Sequence, residues 1–277
     1  MGNVFDMKVK LSNGVEMPVL GFGVWQIPDD GTAENAVKDA LEFGYRSIDT
    51  AEAYDNECGV GKAIIESGIP RKDVFITTKV DNPNQGYDKC LESFDRSLEN
   101  LKTDYVDLYL VHWPMRKTYL QTWLALVRLY EEKRVRAIGV SNFKVLHIEA
   151  IVEESGVWPT VNQIERHPHL IQKEMIDYGR EHGILIEAYS PLMQGNLNIP
   201  LLIELAKKYG KTPAQIVLRW HLQGGVMIIP KSANRNRILE NSQLDGFELS
   251  SQDMNMIDAL NENKYYLHDF AEYPWGS

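Results

Sequence analysis

The chain has 277 residues, 44% hydrophobic and 25% charged, which is material for a sizeable core and not the composition of a disordered protein. Its 39 acidic residues outnumber 29 basic ones, for a formal charge of −10; nothing general then favours a nucleic acid or an anionic membrane surface, and any phosphate must meet a local basic patch. Two cysteines, Cys58 and Cys90, form neither a CxxC pair nor a metal spacing, which argues against a disulfide framework and for a reducing compartment.

In chain order, residues 1–6 lack the apolar core of a signal peptide, and Asp6 stands where a myristoylation signal has Ser or Thr. No apolar run is long enough to span a bilayer, so a soluble, cytoplasmic protein is expected. Next, 7–10 and 15–18 flank Leu11-Ser12-Asn13-Gly14, and Asn-Gly between short strands signals a β-hairpin. Short apolar runs then recur at 19–24, 45–49, 75–80, 106–112, 135–141, 161–165, 184–189 and 226–230. The unbroken hydrophobicity of several suits strands covered on both faces. Between them, 33–43, 88–101, 119–132, 144–154, 173–181, 199–209 and 214–223 carry helical periodicity. Thr212-Pro213 reads as an N-cap with proline at the first helical position, and Gly44, Gly183 and Gly210 stand where C-caps belong. Strand–helix alternation without a linker predicts one α/β domain over 1–277, a (β/α)₈ TIM barrel with the hairpin plugging its bottom. The tail from 261 to 277 has no period and is rich in aromatics (Tyr265, Tyr266, Phe270, Tyr273, Trp275). It is expected either to be disordered or to lie across a pocket mouth.

Active sites of such barrels lie at the C-terminal ends of the strands. Those ends carry Asp49 and nearby Tyr54, Lys79, His112-Trp113, Ser141-Asn142, Gln163, Tyr189-Ser190 and Lys231-Ser232. Each has an ordinary structural explanation alone, since a lysine closing a strand is usually solvated and a histidine beside a tryptophan is usually packed. Convergence on one rim is what points to chemistry. Three other patterns are set aside. Gly21-Phe22-Gly23 has Gln26 where a dinucleotide fingerprint needs its third glycine. Gly61-Lys62-Ala63 lacks the Ser or Thr of a phosphate loop. His167 and His169 have no carboxylate at ligand spacing, so no metal site is expected.

Several segments together resemble the aldo-keto reductase family. They are Gly44-Tyr45-Arg46-Ser47-Ile48-Asp49-Thr50-Ala51 with Tyr54, then Asp107-Leu108-Tyr109-Leu110-Val111-His112-Trp113-Pro114, then Ile229-Pro230-Lys231-Ser232 with Arg237. The segments 135–143 and Asn162-Gln163-Ile164-Glu165 match as well, and the resemblance runs from the hairpin to Asn263.

The resemblance implies NADPH-dependent reduction of a carbonyl, with catalytic Asp49, Tyr54, Lys79 and His112. Hydride addition leaves charge on oxygen, so a proton donor must stand there. Tyr54 is the expected donor, His112 orients the carbonyl, and Asp49 holds Lys79. A lysine ~4 Å away in a medium of effective dielectric ~20 is worth on the order of 4 kcal/mol to a phenolate, so Lys79 is expected to lower the Tyr54 pKa. Trp25 and Trp113 are expected to line the substrate pocket. The resemblance places Ser141, Asn142 and Gln163 on the nicotinamide carboxamide and Tyr189 on its ring. It puts Ser190, Leu192 and Gln194 at the pyrophosphate, Lys231, Ser232 and Arg237 at the 2′-phosphate, and Glu240 and Asn241 near the adenosine. Lys231, Arg235 and Arg237 together form the basic patch this acidic chain needs. Only Met115–Thr118 separates Trp113-Pro114 from the next helix, a short loop similar to those of prostaglandin F synthases, diketogluconate reductases and methylglyoxal reductases. An open pocket and small carbonyl substrates follow: methylglyoxal-like aldehydes, aromatic aldehydes and keto esters. Prostaglandin endoperoxide reduction and an NADPH-binding redox sensor are the alternatives. Small barrels of this family often act as monomers, and no nucleic-acid or membrane partner is expected.

Overall fold

The computed structural model describes residues 3–267. The hairpin is β1 (Lys8–Lys10) and β2 (Glu16–Pro18), paired antiparallel. A second sheet follows, of β3 (Phe22–Gly23), β4 (Ser47–Asp49), β5 (Phe75–Val80), β6 (Val106–Val111), β7 (Val135–Ser141), β8 (Val161–Glu165), β9 (Leu185–Tyr189) and β10 (Met227–Ile228). Its eight strands lie side by side in sequence order, all parallel. Bridges from Leu20 to Ile228 and from Gly23 to Lys231 join the first strand to the last, so the sheet closes into a barrel.

The helices are α1 (Thr32–Phe43), α2 (Glu57–Glu66), α3 (Tyr87–Leu101), α4 (Tyr119–Glu131), α5 (Val145–Ser155), α6 (Lys173–His182), α7 (Pro200–Tyr209), α8 (Pro213–Gln223), α9 (Arg235–Ser242) and α10 (Ser251–Asp258). Helix α1 buries Ala33, Ala36, Val37, Ala40 and Leu41, the stripe a surface helix turns to a sheet. Helix α8 opens with the expected Thr212 cap, reciprocated by Gln215, and Gly44, Gly183 and Gly210 end their helices at positive φ.

Helices α2, α9 and α10 are additions to the sequence reading. Gly59 and Gly61 break the apolar period of α2, yet the helix forms and packs on α1 and α3. A Cβ on Gly61 would meet the Leu101 carbonyl at 2.5 Å, so the glycine is there for close approach. The eight-residue α9 and α10 are too short and polar to show a period.

The main core lies between the barrel and its helices. A separate cluster fills the barrel's N-terminal end, where Leu11 and Met17 of the hairpin meet Phe75, Leu108, Leu110, Ala137 and Val161. The hairpin is thus the expected plug, and the C-terminal end is free for chemistry.

Candidate active site

Asp49 ends β4, and a 3₁₀ turn over Glu52–Tyr54 follows it. Lys79 points inward from β5 and is fully buried. Its Nζ donates to Asp49 Oδ1 at 2.7 Å, to the Thr50 carbonyl at 2.8 Å and to the Tyr54 hydroxyl at 3.4 Å. His112, just beyond β6, meets the Tyr54 ring edge-on at 5.7 Å between centroids. The turn that carries Tyr54 is tied down by Glu52, whose carboxylate accepts from the Asp81 N–H at 3.0 Å, Asn84 at 2.8 Å and Ser93 at 2.6 Å.

Burial lowers the pKa of the Lys79 ammonium. The charge of Asp49, then of Tyr54 and Glu187, more than offsets it, so the pKa lies above the ordinary lysine value and Lys79 stays charged. At Tyr54 burial is the largest influence and raises the pKa. Lys79 opposes it, Asp49 and Glu187 reinforce it, and the net shift is upward. Lys79 thus lowers the Tyr54 pKa as expected, but burial outweighs it. Asp49 lies closer to the ammonium than Tyr54 does, so the tyrosine faces an ion pair rather than a bare cation.

Beneath this group the barrel is crossed by polar side chains. Gln163 on β8 lies across the barrel from β4, and its Nε2 donates to Asp49 Oδ2 at 2.7 Å and to Glu187 Oε2 on β9 at 2.7 Å. Ser141, Gln163 and Glu187 are register partners on successive strands, which sets them in one layer. Burial first, then the neighbouring Asp49, pushes the Glu187 carboxyl up to about 8. Sequence reading missed Glu187, although an acidic residue inside Leu185-Ile186-Glu187-Ala188 was a visible signal.

Above lies a cleft of about 1110 Å³, a volume suited to a large organic ligand. Every expected site residue lines it except Lys79, which sits below the surface. Trp25, Tyr54, His112 and Trp113 form one end, and Lys231, Ser232, Arg237, Glu240 and Asn241 the other. Between them, Asn142 donates to the His112 carbonyl and the Ser141 hydroxyl, and accepts from the Tyr189 hydroxyl at 2.8 Å. Ser190 and Gln194 have positive φ, as do Met193 and Gly195, the strained backbone that marks ligand-facing turns. Leu192 lies within this segment and also lines the cleft.

Arg235 is a correction. Its guanidinium pairs with Asp39 and Glu42 of α1 and covers the Phe43 ring, so it braces α9 and leaves Lys231 and Arg237 as the patch. The tail reaches the cleft. The N–H groups of Tyr266 and Leu267 donate to the Glu165 carboxylate at 2.7 and 3.4 Å, and Leu267 joins the lining. Phe270, Tyr273 and Trp275 lie outside the described residues.

The aldo/keto reductase family model matches residues 19–262. The chain belongs to this family. It is therefore an enzyme of the aldo-keto reductase class, and the short-loop resemblance read from Trp113-Pro114 has counterparts among its relatives. Glyoxal reductase of Bacillus subtilis is 52% identical over 257 residues, covering 92% of this chain and 93% of that protein. The 9,11-endoperoxide prostaglandin H2 reductase of Trypanosoma cruzi is 50% identical over 260 residues, with 92% of each chain covered. Among solved structures, a mutant of Gox0644 in complex with NADPH superposes with a TM-score of 0.88 at 43% identity, covering 92% of this chain and 93% of that one. Among the described residues no helix of this aldo-keto reductase is long and apolar enough to cross a membrane.

Proposed function

We propose that this aldo-keto reductase reduces small aldehydes and ketones to alcohols with NADPH. Methylglyoxal-like 2-oxoaldehydes, aromatic aldehydes and keto esters are its substrates, and Tyr54 is its general acid. The carrying observation is the Tyr54 hydroxyl at the inner end of the cleft, 3.4 Å from a fully buried, charged Lys79.

The residues fit the cofactor. Lys231 and Arg237 line the far end of the cleft and, unlike Arg235, have no salt bridge among the described residues, as suits partners for a 2′-phosphate. Gln163 spends its Nε2 on two carboxylates and keeps its carbonyl oxygen for a carboxamide N–H, with Ser141 and Asn142 beside it. The positive-φ turn through Ser190, Leu192 and Gln194 suits a pyrophosphate, Glu240 and Asn241 suit the adenosine, and Tyr189 suits the ring. When bound, NADPH supplies the hydride.

The protein's share is to orient the carbonyl and deliver a proton. His112 hydrogen-bonds the carbonyl oxygen, with Trp25 and Trp113 as apolar walls. Burial keeps the Tyr54 hydroxyl protonated at neutral pH, ready to donate. As the proton leaves, negative charge develops on the phenol oxygen beside Lys79, which Asp49 and the Thr50 carbonyl hold in place. We propose that the chain acts as a one-domain monomer over 1–277 in the cytoplasm, a reducing compartment that the free thiols Cys58 and Cys90 suit.

The test is NADPH consumption with methylglyoxal and an aromatic aldehyde, for the native chain and for Tyr54→Phe. A loss of about 100-fold or more in kcat, with NADPH still bound, is expected. Equal rates would remove Tyr54 from the role, and NADPH binding without turnover in either protein would favour a redox sensor. The Trypanosoma relative gives endoperoxide reduction a place in the same panel.

A further inference from the structure

The two ends of the cleft differ in charge. At the far end stand Lys231 and Arg237. At the end near Tyr54 and His112 the lining includes Asp81 and Asn82, in the segment that follows β5. Asp81 continues the extended backbone of the strand (φ −72°, ψ 153°). Residues two apart on extended chain face the same way, so Asp81 stands one layer above Lys79, nearer the mouth. Gln85 fixes it at the substrate end: its Nε2 donates to Asn82 Oδ1 at 3.2 Å and to the Trp113 carbonyl at 2.7 Å, beside His112.

The Asp81 carboxylate has no counter-ion among the described residues. Its Oδ1 accepts from the Asn82 N–H at 2.7 Å, and it makes no salt bridge among the described residues. Its charged neighbours are acidic. Burial first, then Glu52 and Asp55, shifts its pKa upward, and Glu52 is itself engaged by Arg96. Lys79, the cation one layer below, gives little relief of this local negative potential, since its charge is paired with Asp49.

We propose that Asp81 selects substrates by charge: it admits uncharged 2-oxoaldehydes and opposes carbonyl compounds with a carboxylate next to the reacting carbon, such as 2-oxo acids and sugar acids. This deepens the carbonyl-reductase reading and rests on it. A second carboxylate bound at the Tyr54 end would meet Asp81 in a cleft of reduced dielectric, at a penalty of about tenfold in kcat/KM.

The test compares methylglyoxal with glyoxylate, both aldehydes, in the native enzyme and in Asp81→Asn, whose amide oxygen can still accept from the Asn82 N–H. The glyoxylate-to-methylglyoxal ratio of kcat/KM is expected to rise about tenfold in Asp81→Asn. In the native enzyme, raising salt from about 20 mM to about 500 mM is expected to lift the same ratio, because a part-exposed charge is screened. The salt series needs no variant, so it decides the matter even if Asp81→Asn fails to fold. A ratio unmoved by the substitution, or by salt where the variant is unusable, overturns the proposal. Absence of turnover of any aldehyde by the native enzyme overturns the reading beneath it, a result separate from an unmoved ratio.

Discussion

The two ends of the barrel are filled by opposite means. At the N-terminal end Leu11 and Met17 of the hairpin meet Phe75, Leu108 and Leu110 in a purely apolar cluster. At the C-terminal end the same strands enclose Asp49, Lys79, Gln163 and Glu187, joined by hydrogen bonds of about 2.7 Å. The first arrangement is stable by burial alone. The second takes charges from water and holds them only through mutual pairing, a poor source of stability and a good source of pre-set electrostatics. One end keeps the barrel together so that the other can carry groups that would otherwise weaken it.

The largest break in that contrast is Lys79→Met. It leaves Asp49 buried without its cation, and a loss of about 3–5 kcal/mol in urea unfolding is expected. Turnover should fall about 1000-fold with it; normal turnover would mean that Lys79 is only a structural cation. At the other end, Met17→Ala should cost about 3 kcal/mol through its cavity while kcat/KM at a permissive temperature holds. A matching loss of activity would show that the ends are not independent. Arg237→Ala should raise the KM for NADPH about 10- to 100-fold and scarcely change that for NADH, since only the former has a phosphate to lose. Equal effects on both cofactors would place Arg237 elsewhere.

The smallest effect is Glu187→Gln, read from pH. The folded-state pKa of Glu187 is raised to about 8, so its neutral form is the one the fold favours. The stability tied to that proton is complete below the ordinary glutamate pKa and is lost as pH rises through about 8. Glutamine cannot ionise. The variant's Tm should therefore exceed the parent's by about 5 °C at pH 8 and by little at pH 5. A pH-independent difference would mean that Glu187 is ionised in the folded protein.

The sequence by itself determined the barrel, because a strand covered on both faces must be apolar throughout and a covering helix must show a 3.6-residue stripe. All the strands of the closed sheet and seven of the helices could be read this way, and the failures were where the rule has no purchase: the glycine-interrupted α2 and the short, polar α9 and α10. Strand order and known strand-end chemistry likewise located Asp49, Lys79, His112 and the cleft. What only the tertiary structure decided are contacts between residues far apart in the chain. Gln163 reaches Asp49 across the barrel, 114 residues away, and Arg235 is drawn to Asp39 and Glu42, far back along the chain. The direction of the Tyr54 shift belongs here too, because burial and the Asp49–Lys79 pairing are set by packing. Periodicity reports which face a residue turns inward; charge and proton affinity depend on what it meets there.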